Sequence, residues 1–160
     1  MDSQKKQATV IALRVLAASP KSRAEISQKL KDKGFALPVI DEVLTDLEKQ
    51  GFLSDKAYAQ NLIAKFTAGQ SSGSRKIQFE LKRHGISGKI SEEVLSGINP
   101  EEERARAREL AQNRWQRFNN IDPQKRKKRV FDFLLRRGFD FQTVRDIMEE
   151  MKSNDEKSDN

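Results

Sequence analysis

The chain has 160 residues, 34% of them charged and 36% hydrophobic, and its 31 Lys and Arg against 24 Asp and Glu leave a formal net charge of +7. It contains no cysteine, which excludes disulfides and thiolate chemistry, and no apolar run approaches the ~18–20 residues of a membrane span. A cytoplasmic protein with no membrane association is therefore expected.

Helices are predicted, in chain order, at about 8–18, 23–33, 38–50, 55–68, 74–84, 89–96, 100–118, 123–137 and 141–152. Ser22-x-x-Glu25 reads as a capping box opening the second of these. The run "GQSSGS" (69–74) reads as a linker. Asn99 followed by Pro100 and three glutamates starts a long helix, with acids at its positive end. Asp122-Pro123 supplies a cap and an N1 proline for the next. The segment "SNDEKSDN" (153–160) has the composition of a disordered tail. No stretch alternates with period two, so no significant sheet is expected.

Three helix ends share one pattern: "KLKDKGF" (29–35), "ELKRHGI" (80–86) and "FLLRRGF" (133–139). Glycine accepts the left-handed conformation at the position after a helix, and cations in the last turn complement the helix dipole. Aligned on Gly34, Gly85 and Gly138, the copies carry Leu30, Leu81 and Leu134 four residues earlier. Eight earlier stand Ile26, Ile77 and Val130, and one later Phe35, Ile86 and Phe139. Val43-Leu44, Val94-Leu95 and Ile147-Met148 follow at nine and ten. A period near 50 with three helices per unit predicts an all-α fold of three tandem three-helix repeats, of winged-helix-like or helix-turn-helix-like bundles, in an elongated arrangement. The repeats are placed at 1–53, 54–99 and 100–152, ahead of the tail.

Catalytic patterns are missing. His84 is the one histidine, and it occupies the helix-end slot that holds Lys33 and Arg137 in the other copies, where it reads as a capping group. One histidine without cysteine cannot build the usual zinc sites. "GQSSGSRK" lacks the phosphate-loop spacing and has no strand before it. The acidic runs 101–103 and 149–150 read as solvated helix surface. No catalytic, cofactor-binding or metal-binding residue is expected, and a non-enzyme is predicted.

Charge is what the sequence offers instead. Residues 104–152 hold 14 basic and 7 acidic side chains, whereas residues 54–103 hold 7 of each. Such an excess marks a polyanion-facing surface. At ten, nine and two residues before the glycine, the second repeat has Arg75, Lys76 and Arg83 and the third has Lys128, Arg129 and Arg136. The first has Ala24, Glu25 and Asp32. The third helix of each repeat is acidic, which argues against its entering a groove lined by phosphates. The candidate DNA- or filament-binding residues are Arg75, Lys76, Phe79, Lys82 and Arg83 in the second repeat. In the third they are Arg104, Arg108, Lys125, Lys128, Arg129, Arg136 and Arg137. Phe79 stands where the other copies have Gln28 and Asp132. It reads either as a contact, stacking on an unpaired base or anchoring a protein partner, or as a side chain covered by a neighbouring repeat.

At "GFLSDKAYA" (51–59), "GSRKIQFELKRHGI" (73–86) and "FLLRRGF" (133–139), the sequence resembles the RecX family of recombination regulators, over about residues 8–151. The resemblance implies three tandem three-helix repeats in a bacterial protein of DNA repair and the SOS response. It implies binding to the RecA recombinase filament on single-stranded DNA, with inhibition of ATP hydrolysis, strand exchange and coprotease activity. Lys76 falls at the family's basic position before the isoleucine, and Asp55 and Tyr58 fall on its Asp and aromatic pair. Ala57 departs from the pattern, standing where relatives often carry a basic residue. Asp55 also reads as a helix N-cap and Tyr58 as core. The expected protein is a monomer that contacts single-stranded DNA, and double-stranded DNA as well, without sequence choice. The alternative is a free-standing helix-turn-helix transcription regulator; an RNA- or ribosome-associated protein is a third reading.

Overall fold

The computed structural model describes residues 2–69 and 71–158. Met1, Gln70, Asp159 and Asn160 lie outside the described residues, and with them the start of the first repeat, one residue of the 69–74 linker and the end of the tail. Among the described residues there are nine α-helices and no strand. They are α1 (Asp2–Ala18), α2 (Arg23–Asp32), α3 (Leu37–Lys49), α4 (Asp55–Ala64), α5 (Ser74–Arg83), α6 (Gly88–Leu95), α7 (Pro100–Arg117), α8 (Pro123–Arg136) and α9 (Phe141–Ser158).

The expected starts of α2, α7 and α8 hold, each for the stated reason. The Ser22 hydroxyl accepts from Glu25 N–H at 3.2 Å while Glu25 accepts from Ser22 N–H at 3.1 Å. Asn99 accepts from Glu101 N–H at 2.9 Å, and Asp122 from Lys125 N–H at 3.4 Å. The cap of α4 differs from expectation. Ser54, not Asp55, accepts from Ala57 N–H (3.2 Å), and Asp55 instead accepts the N–H of Arg23 at 2.8 Å, securing the start of α2.

Gly34, Gly85 and Gly138 have φ of +91°, +78° and +93°. In each copy the residue after the glycine bonds back to the leucine carbonyl: Phe35 to Leu30 at 3.2 Å, Ile86 to Leu81 at 3.0 Å, Phe139 to Leu134 at 3.3 Å. This is the Schellman closure, which satisfies the last carbonyls of a helix. All three leucines, with Ile26, Ile77 and Val130, are fully buried.

Two helix ends depart from the sequence reading. After Ala64, α4 widens into one π turn over Lys65–Gly69 in place of α-helix to 68. The Thr67 hydroxyl bonds the Ile63 carbonyl at 2.8 Å, Phe66 is buried, and the Phe66 carbonyl turns to accept from Ser72 N–H at 2.8 Å. At the other end of the chain, α9 continues to Ser158 through residues expected to be a disordered tail from 153. The 18-residue α7 gives it a neighbour: Met151 is buried, and Asn154 and Asp155 line a shallow depression with Gln112, Trp115 and Gln116.

The chain divides into two compact units. One comprises the residues up to Leu62 with Glu80–Val94; the other comprises Ile63–Phe79 with the residues from Leu95 onward. The division cuts the second repeat, predicted at 54–99, instead of following its limits. In the first unit, Ala8, Ala12, Ile26, Leu30, Val43, Leu44 and Leu47 form the core where α1 and α2 pack on α3. In the second, Trp115, Val130, Phe133, Leu134, Phe139 and Ile147 fill the space among α7, α8 and α9.

Candidate nucleic-acid interface

The core side of α8 explains its other side. Val130, Phe133 and Leu134 are buried, so the helix turns Lys125, Lys128, Arg129 and Arg136 outward, and all four are exposed. Lys125, Arg129, Asp132 and Arg136 follow at i, i+4, i+7 and i+11, one stripe about 16 Å long at 1.5 Å per residue. Asp132 is the single acid in it.

Three aromatic rings under this surface hold arginines in place. Arg114 and Arg137 lie over the Phe133 ring at 4.0 and 5.2 Å, Arg129 over Phe118 at 5.5 Å, and Arg126 over Trp115 at 3.9 Å. For Arg114 and Arg129, a guanidinium stacked on a ring keeps its N–H edge available, and its orientation is fixed before any ligand arrives. Arg126 is different, because its Nε and one Nη donate to the Trp115 carbonyl, which ties the end of α7 to the start of α8. The sequence reading did not select Arg114. Nothing near it in sequence signals its role, because the ring beneath it, Phe133, belongs to α8.

The N-terminal half of α5 joins the same unit. Gly73 N–H donates to the Arg137 carbonyl at 2.8 Å, and Arg75 N–H to the Gly138 carbonyl at 3.0 Å. Carbonyls at the end of α8 thus meet the N–H groups at the start of α5, with opposite dipole ends in contact. Glu103 of α7 accepts from both the N–H and the hydroxyl of Ser74, each at 2.6 Å. Arg75 and Lys76 are therefore brought beside Arg137 and Gly138 at the end of α8. Arg75 also lies within electrostatic range of Asp140, whose carboxyl is held below its usual range first by the Thr143 N–H.

Arg104 and Arg108 are placed elsewhere. Arg104 pairs with Asp146 at 2.8 Å and Arg108 with Glu150 at 3.0 Å, joining α7 to α9. Lys82 and Arg83 lie on the last turn of α5, both exposed, with Arg83 paired to Glu80 at 2.9 Å. Phe79 is 64% exposed.

His84 does more than cap a helix end. Its Nδ1 lies 3.0 Å from the Tyr58 hydroxyl and 3.4 Å from a Glu25 oxygen, and its carbonyl accepts from the buried Ser22 hydroxyl at 2.6 Å. Burial, with the nearby Glu25 charge, pushes the Tyr58 phenol up to about 12. Burial opposes ionisation of Glu25, but the Ser22 N–H and His84 together leave its carboxyl below the ordinary value. Tyr58 is thus a packing and hydrogen-bonding residue within the first unit.

The third helices make poor groove readers. The α3 acids are engaged by cations: Lys5 with Glu42 and Asp46, Arg23 with Asp41 and Glu48. No strand is present among the described residues to form a wing. Among the same residues, no group of three or more His, Cys, Asp or Glu could hold a metal ion, and no helix is long and apolar enough to cross a membrane.

Comparison with known proteins agrees with this architecture. Residues 8–47 match the model of the first three-helix domain of RecX, and residues 101–148 that of the third. The regulatory protein RecX of Chlorobaculum tepidum is 34% identical over 92% of this chain and 91% of its own. That of Chlorobium phaeobacteroides is 31% identical over 94% and 97%. In three dimensions, RecX from Lactobacillus salivarius superposes with a TM-score of 0.87 at 20% identity, covering 95% of this chain and 99% of that one. A second RecX crystal structure gives 0.79 at 23% identity, over 91% and 72%. Domain order, near-full-length identity and shared fold lead to one assignment: the chain belongs to the RecX family of regulatory proteins.

Proposed function

We propose that this protein regulates recombination by binding the RecA recombinase filament on single-stranded DNA and lowering its ATP hydrolysis, strand exchange and coprotease activity. The observation that carries the reading is the cationic face of α8, adjoined in one unit by Arg75 and Lys76. Its phosphate ligand is contacted through charge, since the acidic third helices offer no means of base-edge readout. The working protein is a monomer. Adding it at substoichiometric ratios to RecA on single-stranded DNA is expected to reduce ATP turnover. Unchanged turnover at one protein per recombinase subunit would overturn the proposal.

A salt series examines the surface itself. Replacing Arg129 and Arg136 together by Ala should weaken DNA binding about equally for all sequences. The slope of log affinity against log salt should flatten by up to ~0.7–0.9 per lost contact. The same slope for variant and parent would remove α8 from the interface.

A further inference from the structure

The exposed residues of α5 are Arg75, Gln78, Phe79, Lys82 and Arg83. Their spacing, i, i+3, i+4, i+7 and i+8, makes one continuous stripe opposite buried Ile77 and Leu81. The stripe holds three cations, an amide and a phenyl ring, and no acid. Lys82 has no ion-pair partner among the described residues, and Glu80, which pairs with Arg83, lies off the stripe with its side chain 13% exposed. In the equivalent slots of α2 and α8 stand Gln28 and Asp132. An apolar ring 64% in water has a cost, and in this slot both other repeats carry a polar side chain instead.

We infer that Phe79 is a stacking platform for an unpaired nucleobase, and that the ring adds affinity for single-stranded DNA on which duplex DNA cannot draw. This rests on the filament reading above and adds to it the feature of the ligand that is read. Cations on both flanks of the ring suit a strand whose phosphates pass on either side of a base, and Gln78 supplies a donor and an acceptor beside it. Aromatic rings also anchor protein interfaces, but a ring with cations before and after it along the helix favours a flat ligand that carries negative charge. Duplex DNA keeps its base faces stacked inside, so the ring finds a ligand only where the bases are unpaired.

The test is binding, by fluorescence anisotropy, of oligothymidylate and of the same backbone with abasic positions, to the parent, Phe79→Ala and Phe79→Trp. The parent should lose roughly five- to 150-fold in affinity on base removal, as one stacked base is worth ~1–3 kcal/mol. Phe79→Ala should bind the intact oligonucleotide more weakly by the same factor and no longer distinguish the two. Phe79→Trp should keep the distinction, and melting temperatures should be unchanged. Equal discrimination by parent and Phe79→Ala overturns the inference. So does a Phe79→Ala variant that binds oligonucleotide normally yet loses its effect on the recombinase, because the ring would then contact protein. A parent that discriminates as expected but leaves RecA turnover unchanged would retain the stacking site and remove only the filament reading.

Discussion

Replacing Gly138 with Ala should lower stability by about 2–5 kcal/mol, more than the same change at either other repeat glycine. Two costs combine. With φ at +93°, any side chain is strained by roughly 1–2 kcal/mol. The added Cβ would also fall on Lys76, 2.5 Å from its backbone nitrogen, where the neighbour that must move is a helix backbone. Overpacking of this kind typically costs ~1–3 kcal/mol. Gly34 provides the comparison. Its φ is +91°, but a Cβ there would meet nothing within 4 Å, so Gly34→Ala should show the conformational cost alone. Gly85 also clashes, its Cβ falling 2.4 Å from the Ala24 methyl carbon, but that is one close contact where Gly138 meets three atoms of Lys76, two of them backbone. Urea unfolding of the three variants checks the ranking. Equal losses would mean that the contact between Gly138 and Lys76 is loose.

The residue after each glycine gives the second large effect. Phe139 is 1% exposed and packs among Val130, Phe133 and Leu134. Its replacement by Ala removes a whole ring from the core of the second unit and should cost ~3–5 kcal/mol. Phe35 holds the same repeat position but is only partly buried against the first unit's core, so Phe35→Ala should cost clearly less. Calorimetry of both variants checks this. A loss at Phe35 as large as at Phe139 would show that the two cores carry the repeat in the same way.

What could be read in advance was whatever local chemistry decides. Ser22, Asn99 and Asp122 cap helices because a side-chain oxygen two or three residues from an N–H suffices, and spacing alone reveals that. The repeat was legible because Leu30, Leu81 and Leu134 meet the same requirement three times. Charge gave the face of α8, but not the pairing of Arg104 with Asp146 or of Arg108 with Glu150. Those partners lie 42 residues apart, and only the packing of α7 on α9 brings them together. Likewise nothing near Arg114 or Arg137 in sequence says that both would settle on the Phe133 ring. The helix runs on past 152 for a related reason: composition reports what a segment does alone, and Asn154 and Asp155 share a depression with residues of α7. Exposure of Phe79 could be framed only as two alternatives, since a helical wheel shows a direction and not what stands there.

The meeting of α8 with α5 has a consequence for solvent access. Amides in the first turn of a helix have no carbonyl within the helix, and their protons usually exchange as freely as those of an open chain. Gly73 and Arg75 are exceptions, since the carbonyls of Arg137 and Gly138 close over them. Their exchange rates therefore measure the opening of the junction itself, separately from the unwinding of α5. These two protons should be slow in the parent and should quicken in the Gly138→Ala variant before the amides within α5 do.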